Sequence, residues 1–371
     1  MTVLCTPQEF CSPQTRKTHE TSVHWINPLT DLRWEPFLAA HSRASVFHSR
    51  AWLMALNHTY GYQAVACTTS KPDEQLRNAI VFCRVDSWLT GRRLVSVPFS
   101  DHCEPLVESS EDLKLLARAF EEELELAPLD YVEVRPLHHF EPKTTLHRTS
   151  IPYSFHVLDL TTDLQSVFRS FHKNCIQRKV RRAEHEHLAY SEGRSSAHLD
   201  EFYRLFTLTR ERLKVPPQPK AWFCNLIACL GSAVKIRLAC DGAVPVAAIM
   251  TITHKDTLYY KYGCSNADFN RLGPIQMLLW RAIQDAHASG LRFVDFGRTD
   301  ADQTSLIQFK DRWGATRSTL QYYRYSKAAR ATHAFDLSAT KWKFKTAKFL
   351  LSYMPSPIVS KIGQALYSHV G

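Results

Sequence analysis

Glycine is scarce in this chain, with twelve residues in 371, and none of them forms a Gly-x-Gly-x-x-Gly run, a P-loop or a Gly-x-Ser-x-Gly elbow. Those absences exclude a dinucleotide-binding first turn, a Walker-type phosphate cradle and an α/β-hydrolase nucleophile. The ten cysteines are scattered and contain no Cys-x-x-Cys pair. They imply neither a zinc site nor a disulfide framework, and are read as reduced core filler. His138-His139 and His185-Glu186-His187 lack ligand spacing, so no metal is expected. No apolar run approaches the roughly 18 residues of a membrane span. The first twenty residues lack the apolar stretch of a signal peptide, so a cytoplasmic protein is expected.

What is present suits a soluble protein of two to three domains, at roughly 150 residues each. The net charge of +10 is unevenly placed. Residues 327–371 carry seven basic residues and one acidic, whereas residues 101–135 carry eleven acidic and three basic. A DNA-binding domain is usually basic throughout, so no DNA partner is expected. The basic end instead asks for an anionic partner near it, a membrane surface or a phosphate-bearing substrate.

Periodicity divides the chain. Residues 1–22 are polar and patternless and are expected to be disordered. From 23 to 153 helical spacing at 47–60 and 111–125 alternates with strand-like runs at 64–69, 79–85, 94–98 and 131–135. A second unit, 154–326, opens with a strand at 155–160 and one long helix from Asp163 to Glu186. Helices at 198–214 and 221–230 follow. A meander of strands at 234–240, 244–253 and 257–263 turns at Asp241-Gly242 and Lys255-Asp256. A helix at 274–289, a strand at 293–296, a helix at 306–313 and a strand at 318–325 complete it. The fold class is α/β, with mixed sheets and helices on their faces.

Four stretches of the second unit carry a resemblance: 172–183 (His-Lys-Asn-Cys-Ile-Gln-Arg-Lys-Val-Arg-Arg-Ala), 259–265 (Tyr-Tyr-Lys-Tyr-Gly-Cys-Ser), 295–300 (Asp-Phe-Gly-Arg-Thr-Asp) and 309–315 (Phe-Lys-Asp-Arg-Trp-Gly-Ala). With 47–53 (Phe-His-Ser-Arg-Ala-Trp-Leu) and 98–101 (Pro-Phe-Ser-Asp) in the first, they resemble the FemAB-related branch of the GNAT acyltransferase superfamily. Its relatives include the Fem peptidoglycan-branching aminoacyltransferases and the CelD-like acetyltransferases of exopolysaccharide clusters. The resemblance spans about 45–325. It implies two tandem GNAT-like domains, the first of which regains the C-terminal segment. It also implies transfer of an acyl group to an amine or hydroxyl of a cell-envelope or exopolysaccharide precursor, a glycan or lipid-linked acceptor. The donor co-substrate is acyl-CoA in most GNAT enzymes and aminoacyl-tRNA in Fem enzymes, and no tightly bound cofactor is expected.

The residues suggest roles, each beside a plainer alternative. Lys173, Arg178 and Arg181 recur at helical spacing and suit a diphosphate or an RNA backbone, or else form a solvated face supported by Glu184 and Glu186. The resemblance puts a donor-phosphate turn at Arg271 and Gly273, although Pro274 removes one amide there and the turn also reads as a plain helix start. Asp295 can orient Arg298, and Arg298 can hold an anion or polarise a carbonyl, or the two simply close the loop. Phe309-Lys310 resembles the Phe-Lys pair of Fem enzymes near the acyl donor. Lys310 would offset negative charge at the acyl centre, and Tyr262, Phe309 and Trp313 would shape the substrate pocket. Lys310, Arg298 and Asp295 are thus the candidate catalytic residues, and direct attack without an acyl-enzyme is expected. Two other functions remain open: an aminoacyl-tRNA-dependent peptidyltransferase, and a catalytically inactive scaffold of a polysaccharide-synthesis complex. In the tail, 327–371, Lys341, Lys345 and Lys348 share one helical face beside Trp342 and Phe349. That pattern suits peripheral contact with an anionic membrane, or a helix packed on the first domain.

Overall fold

The computed structural model describes residues 23–327 except 89, and residues 367–369. The expected disordered segment 1–22 and the tail lysines Lys341, Lys345 and Lys348 lie outside the described residues.

The first half runs β1 (His24–Ile26), α1 (Trp34–Ala40), α2 (Arg50–Tyr60), β2 (Gln63–Thr68), β3 (Ile80–Ser87), β4 (Gly91–Val95), α3 (Ser110–Leu126) and β5 (Tyr131–Val134). The second begins with β6 (His147–Asp159), α4 (Leu164–Ser170), α5 (Arg178–His185), β7 (Ala189–Gly193), α6 (Ser196–Arg212) and α7 (Lys220–Leu230). It continues through β8 (Val234–Asp241), β9 (Val244–His254), β10 (Thr257–Ser265), α8 (Pro274–Ala288), β11 (Phe293–Asp300), α9 (Thr304–Asp311) and β12 (Thr316–Ser326). Local chemistry sets the ends of several helices. Ser49 accepts from the Trp52 amide at the start of α2, and Gly61, at φ +72°, stops it. Ser109 caps α3, whose first turn carries Glu111 and Asp112 against the helix dipole.

The strands form one mixed sheet in the order β1-β2-β3-β4-β5-β12-β6-β11-β10-β9-β8-β7. Each half repeats one motif. An antiparallel pair, β3–β4 or β9–β10, leads through a loop and a helix, α3 or α8, to a parallel strand, β5 or β11. β12 joins the halves, pairing with β5 on one side and β6 on the other. Alternation along the central strands assigns opposite faces. In β10, Leu258 faces the core of α5 and α8, while Tyr259 faces a core shared by α2, α6 and α7.

The long helix expected from Asp163 to Glu186 is broken. α4 ends at Ser170, and a five-residue π-helical turn, Lys173–Gln177, precedes α5. Gln177 Nε2 donates to the carbonyl of Phe171 (2.7 Å), and the His172 amide donates to Arg312 O (2.9 Å). These contacts take groups that a continuous helix would use, while Phe171 is buried against Trp280 and Trp313. β6 starts eight residues earlier than the expected strand, so the anticipated boundary at 153/154 falls inside it. β1, α1 and β7, which no periodicity marks, also appear; β7 is an edge strand whose first four residues are exposed.

Candidate active site

β10 and β11 pair in parallel only over Thr257–Tyr259 and Phe293–Asp295. Beyond that point each strand carries one extra residue relative to its outer neighbour. In β10 the shift lies between Tyr260 and Tyr262, and in β11 between Asp295 and Arg298. The two bulges face each other where the strands part, and bulges re-aim side chains. Lys261 is the extra residue of the first, and Arg298 follows the second. Gly297, at φ +70°, allows the turn in β11, because a Cβ there would lie 2.8 Å from the carboxyl of Asp101.

Asp101 ends a strained loop of the first half. Val97 and Phe99 both have φ +59°, which is rare for any non-glycine residue and costly for the β-branched Val97. Hydrogen bonds hold that conformation. Val97 O accepts from Arg135 Nη1 (2.9 Å), Ser100 Oγ (2.7 Å) and Ser100 N (3.3 Å). Tyr322 Oη donates to Asp101 O (2.7 Å). The Asp101 carboxylate accepts from Lys261 Nζ (2.6 Å) and from the Arg298 amide (3.3 Å). Burial acts to raise its pKa, but Lys261, Arg298 and Lys310 outweigh it and pull the carboxyl down to about 2. The Lys261 ammonium also lies 5.2 Å from the ring centre of Phe47 and 5.6 Å from that of Trp52.

Asp101, Lys261 and Arg298 line a cleft of about 390 Å³ between the halves. Its wall holds four cationic side chains, Arg135, Arg210, Lys261 and Arg298, against two carboxylates, Asp101 and Asp300. The formal balance therefore favours an anionic ligand. Arg298 is bonded to Asp300 (3.0 Å) and lies over the rings of Tyr153 (4.3 Å) and Tyr322 (5.3 Å). Thr299 is 2% exposed, and its hydroxyl has no hydrogen-bond partner among the described residues.

Lys310 sits behind this wall and is not among its lining residues. Its ammonium donates to the carbonyls of Gly297 (2.9 Å) and Arg298 (3.1 Å). Burial brings its pKa down to about 8, against the opposing pull of Asp101 and Asp295. Asp295 is buried too. It accepts from the Gly297 amide (2.6 Å) and is 2.9 Å from His102 Nε2. A chain of contacts thus runs from His102 through Asp295 and the Gly297 turn to Lys310.

Of the residues singled out in the sequence, the structure groups Lys310, Arg298, Asp295 and Tyr262 in or behind the cleft. Phe309 and Trp313 lie on the other face of the sheet, in the core of α5 and α8. Lys173, Arg178 and Arg181 are exposed on that same side. There α5 packs on the turn before α8, and a Cβ on Gly273 would meet the Lys179 carbonyl at 2.6 Å. Arg271 is exposed beside it, so these basic residues and the turn form one neighbourhood, separate from the cleft. Asp101, Lys261 and His102 were not singled out. Asp101 and Lys261 stand within the quoted motifs, but no local spacing pairs residues 160 positions apart.

Residues 170–311 match the family model described as the acetyltransferase (GNAT) domain. The second half therefore contains the segment that matches the GNAT domain. The fold is similar to that of FemX, at 14% identity over 81% of this chain and 96% of that one, with a TM-score of 0.63. L-PGS from Bacillus licheniformis is similar at 12% identity over 80% of this chain and 93% of that one, with a TM-score of 0.51. A conserved protein of unknown function from Bacteroides thetaiotaomicron is similar at 11% identity over 75% and 90%, with a TM-score of 0.52. No curated protein matches the chain in sequence. Within the GNAT domain the parting of β10 from β11 separates the two groups of candidate residues, with the cleft on one side and the basic neighbourhood of α5 on the other. Among the described residues no helix is long and apolar enough to cross a membrane.

Proposed function

We propose that the chain transfers an acyl group to an amine or hydroxyl of a phosphate-bearing cell-envelope or exopolysaccharide precursor, glycan or lipid-linked, held in the cleft. The observation that carries this reading is the pair of opposed bulges, which brings Lys261 and Arg298 to the point where β10 and β11 part. The attacking nitrogen or oxygen bonds to the acyl carbon. The tetrahedral intermediate then loses its bond to the donor, and the attacker's proton leaves with the donor's sulfur or oxygen. Arg298 and Lys261 face the negative charge that develops on the acyl oxygen. Asp101, at about 2, is too weak a base to keep that proton, so it orients the acceptor as a hydrogen-bond acceptor. No acyl-enzyme is needed. Lys310 is a positioning residue in this scheme, holding the carbonyls of the Gly297 turn and adding positive charge behind it.

The donor approaches from the α5 side, where Lys173, Arg178, Arg181 and Arg271 would take its phosphates. One observation favours a charged tRNA over CoA as that donor. The Gly273 amide already donates to Asn270 O (3.3 Å) and Pro274 has no amide, so exposed cations rather than a backbone cradle would take the phosphates. The reading locates the reaction in the cytoplasm, at the inner membrane face if the basic tail binds anionic lipid. Native mass spectrometry of the full chain against acetyl-CoA, a charged tRNA and UDP-N-acetylglucosamine tests it. One of the two donors should bind, and Arg298→Met should abolish transfer without weakening donor binding. Binding of neither donor would favour the inactive scaffold.

A further inference from the structure

We infer that Tyr367, held in place by a clasp on residues 367–369, walls one side of the cleft and sets how large an acceptor group can enter; this rests on reading the cleft as the acceptor site. Three consecutive residues are clasped by both halves of the molecule. Tyr367 lines the cleft beside Phe99, with ring centres 6.0 Å apart. Its hydroxyl donates to Pro216 O (2.9 Å), in the segment between α6 and α7 of the second half. On the other side, Tyr62 Oη lies 3.0 Å from the carbonyl of Tyr367 and 3.1 Å from that of Ser368. The His369 carbonyl accepts from Arg93 Nη2 (2.9 Å) and from the Thr90 hydroxyl.

The clasp joins side chains of the first half to a backbone oxygen of the second. Its polar contacts include the 367–369 backbone and the Tyr367 hydroxyl. Phe99 carries the other load: it also packs against Tyr60 (5.0 Å) and Trp222 (5.8 Å), so the Tyr367 ring extends an aromatic wall that begins at the two halves' common core. Removing that ring would open the cleft on one side and leave the cationic wall of Arg135, Lys261 and Arg298 in place. Tyr367 is therefore a determinant of acceptor size and not a catalytic residue.

Thiol access tests this without any acyl transfer, so its failure and that of the proposed reaction are separable. Thr299→Cys puts a thiol at a buried cleft position whose hydroxyl has no partner among the described residues. The probes are iodoacetamide and a bulky maleimide dye, with modification of residue 299 followed by mass spectrometry in the full chain. Adding Tyr367→Ala should raise the dye rate by about tenfold or more, as expected when access no longer waits on local opening. The iodoacetamide rate should change little. Tyr367→Phe, which keeps the ring and loses only the bond to Pro216, should react with the dye far more slowly than Tyr367→Ala. An unchanged dye rate in Tyr367→Ala, including no reaction at all, would overturn the inference, as would equal rates for the Phe and Ala variants.

Discussion

Lys310 is an ammonium in a place that disfavours its charge, and it holds two carbonyls of the turn that carries Arg298. Lys310→Met removes a buried charge, which favours folding, and leaves two carbonyls without a donor, which opposes it. These effects largely offset, so the melting temperature should move little. Transfer should fall on the order of 10²-fold in kcat/KM, roughly 2.7 kcal/mol, as when one charge-stabilising group is lost. Unchanged kcat/KM in a folded Lys310→Met protein contradicts the role. The wild type should also lose activity as pH rises through about 8, where the ammonium loses its proton, and Lys310→Met should lack that limb. Stability runs the other way. The folded pKa lies below the ordinary 10.5, so stability increases as pH rises from about 8 towards 10.5. Asp295 and Arg298 can be picked out of the sequence as a polar cluster just past a short apolar strand, and Lys310 through the resemblance of Phe309-Lys310 to the Phe-Lys pair of Fem enzymes. Asp101, Lys261 and His102 were not legible as partners. The fold alone brings His102 to Asp295, 193 positions away.

Among the elements, the opposed bulges carry the geometry, and glycine fits the β11 bulge for a physical reason. Gly297→Ala puts a Cβ at a left-handed backbone position and 2.8 Å from the Asp101 carboxyl. It should destabilise the protein by about 1–3 kcal/mol and move Asp101 away from Lys261. Denaturant unfolding together with a transfer assay checks both effects, and a substitution neutral in each would contradict the bulge's role. Gly273 is a poorer probe of donor binding than the sequence suggested. A side chain there strikes the Lys179 carbonyl and disturbs α5, whereas Arg271→Ala touches the exposed charge alone. Helices with apolar periodicity and hairpins with clear turns were legible, such as α3 from the spacing of Leu113, Leu116, Ala117 and Phe120, and β8–β9 around Asp241-Gly242. The break at 171–177 was not, because it depends on the Gln177 side chain and the distant Arg312 carbonyl. The first part of β6 was hidden for a similar reason. Its polar residues 147–150 are strand only because β12 pairs with them.

At the scale of the whole molecule, β12 is the seam between the halves, and Glu133 is its buried charge. Glu133 accepts from Arg135 (2.8 Å) beside it and from Arg324 (2.6 Å) on β12. Burial would raise its pKa, but the two guanidiniums hold it at about 2. Glu133→Gln takes the carboxylate away from the buried Arg135 and the part-buried Arg324 and should cost about 3–5 kcal/mol near neutral pH. The folded pKa is depressed from 4.5, so this stabilisation is present above that value and is lost as pH falls towards about 2. The deficit of Glu133→Gln should therefore shrink between pH 7 and pH 3 in denaturant melts, and an equal deficit at both would contradict it. The central claim is that donor and acceptor meet where β10 and β11 part. Hydrogen–deuterium exchange of the full chain with and without a charged tRNA or acetyl-CoA tests it most directly. The account predicts that the effective donor protects the 266–273 turn and the 296–300 segment together. Protection confined to sites away from both segments, or none with either donor, would contradict it.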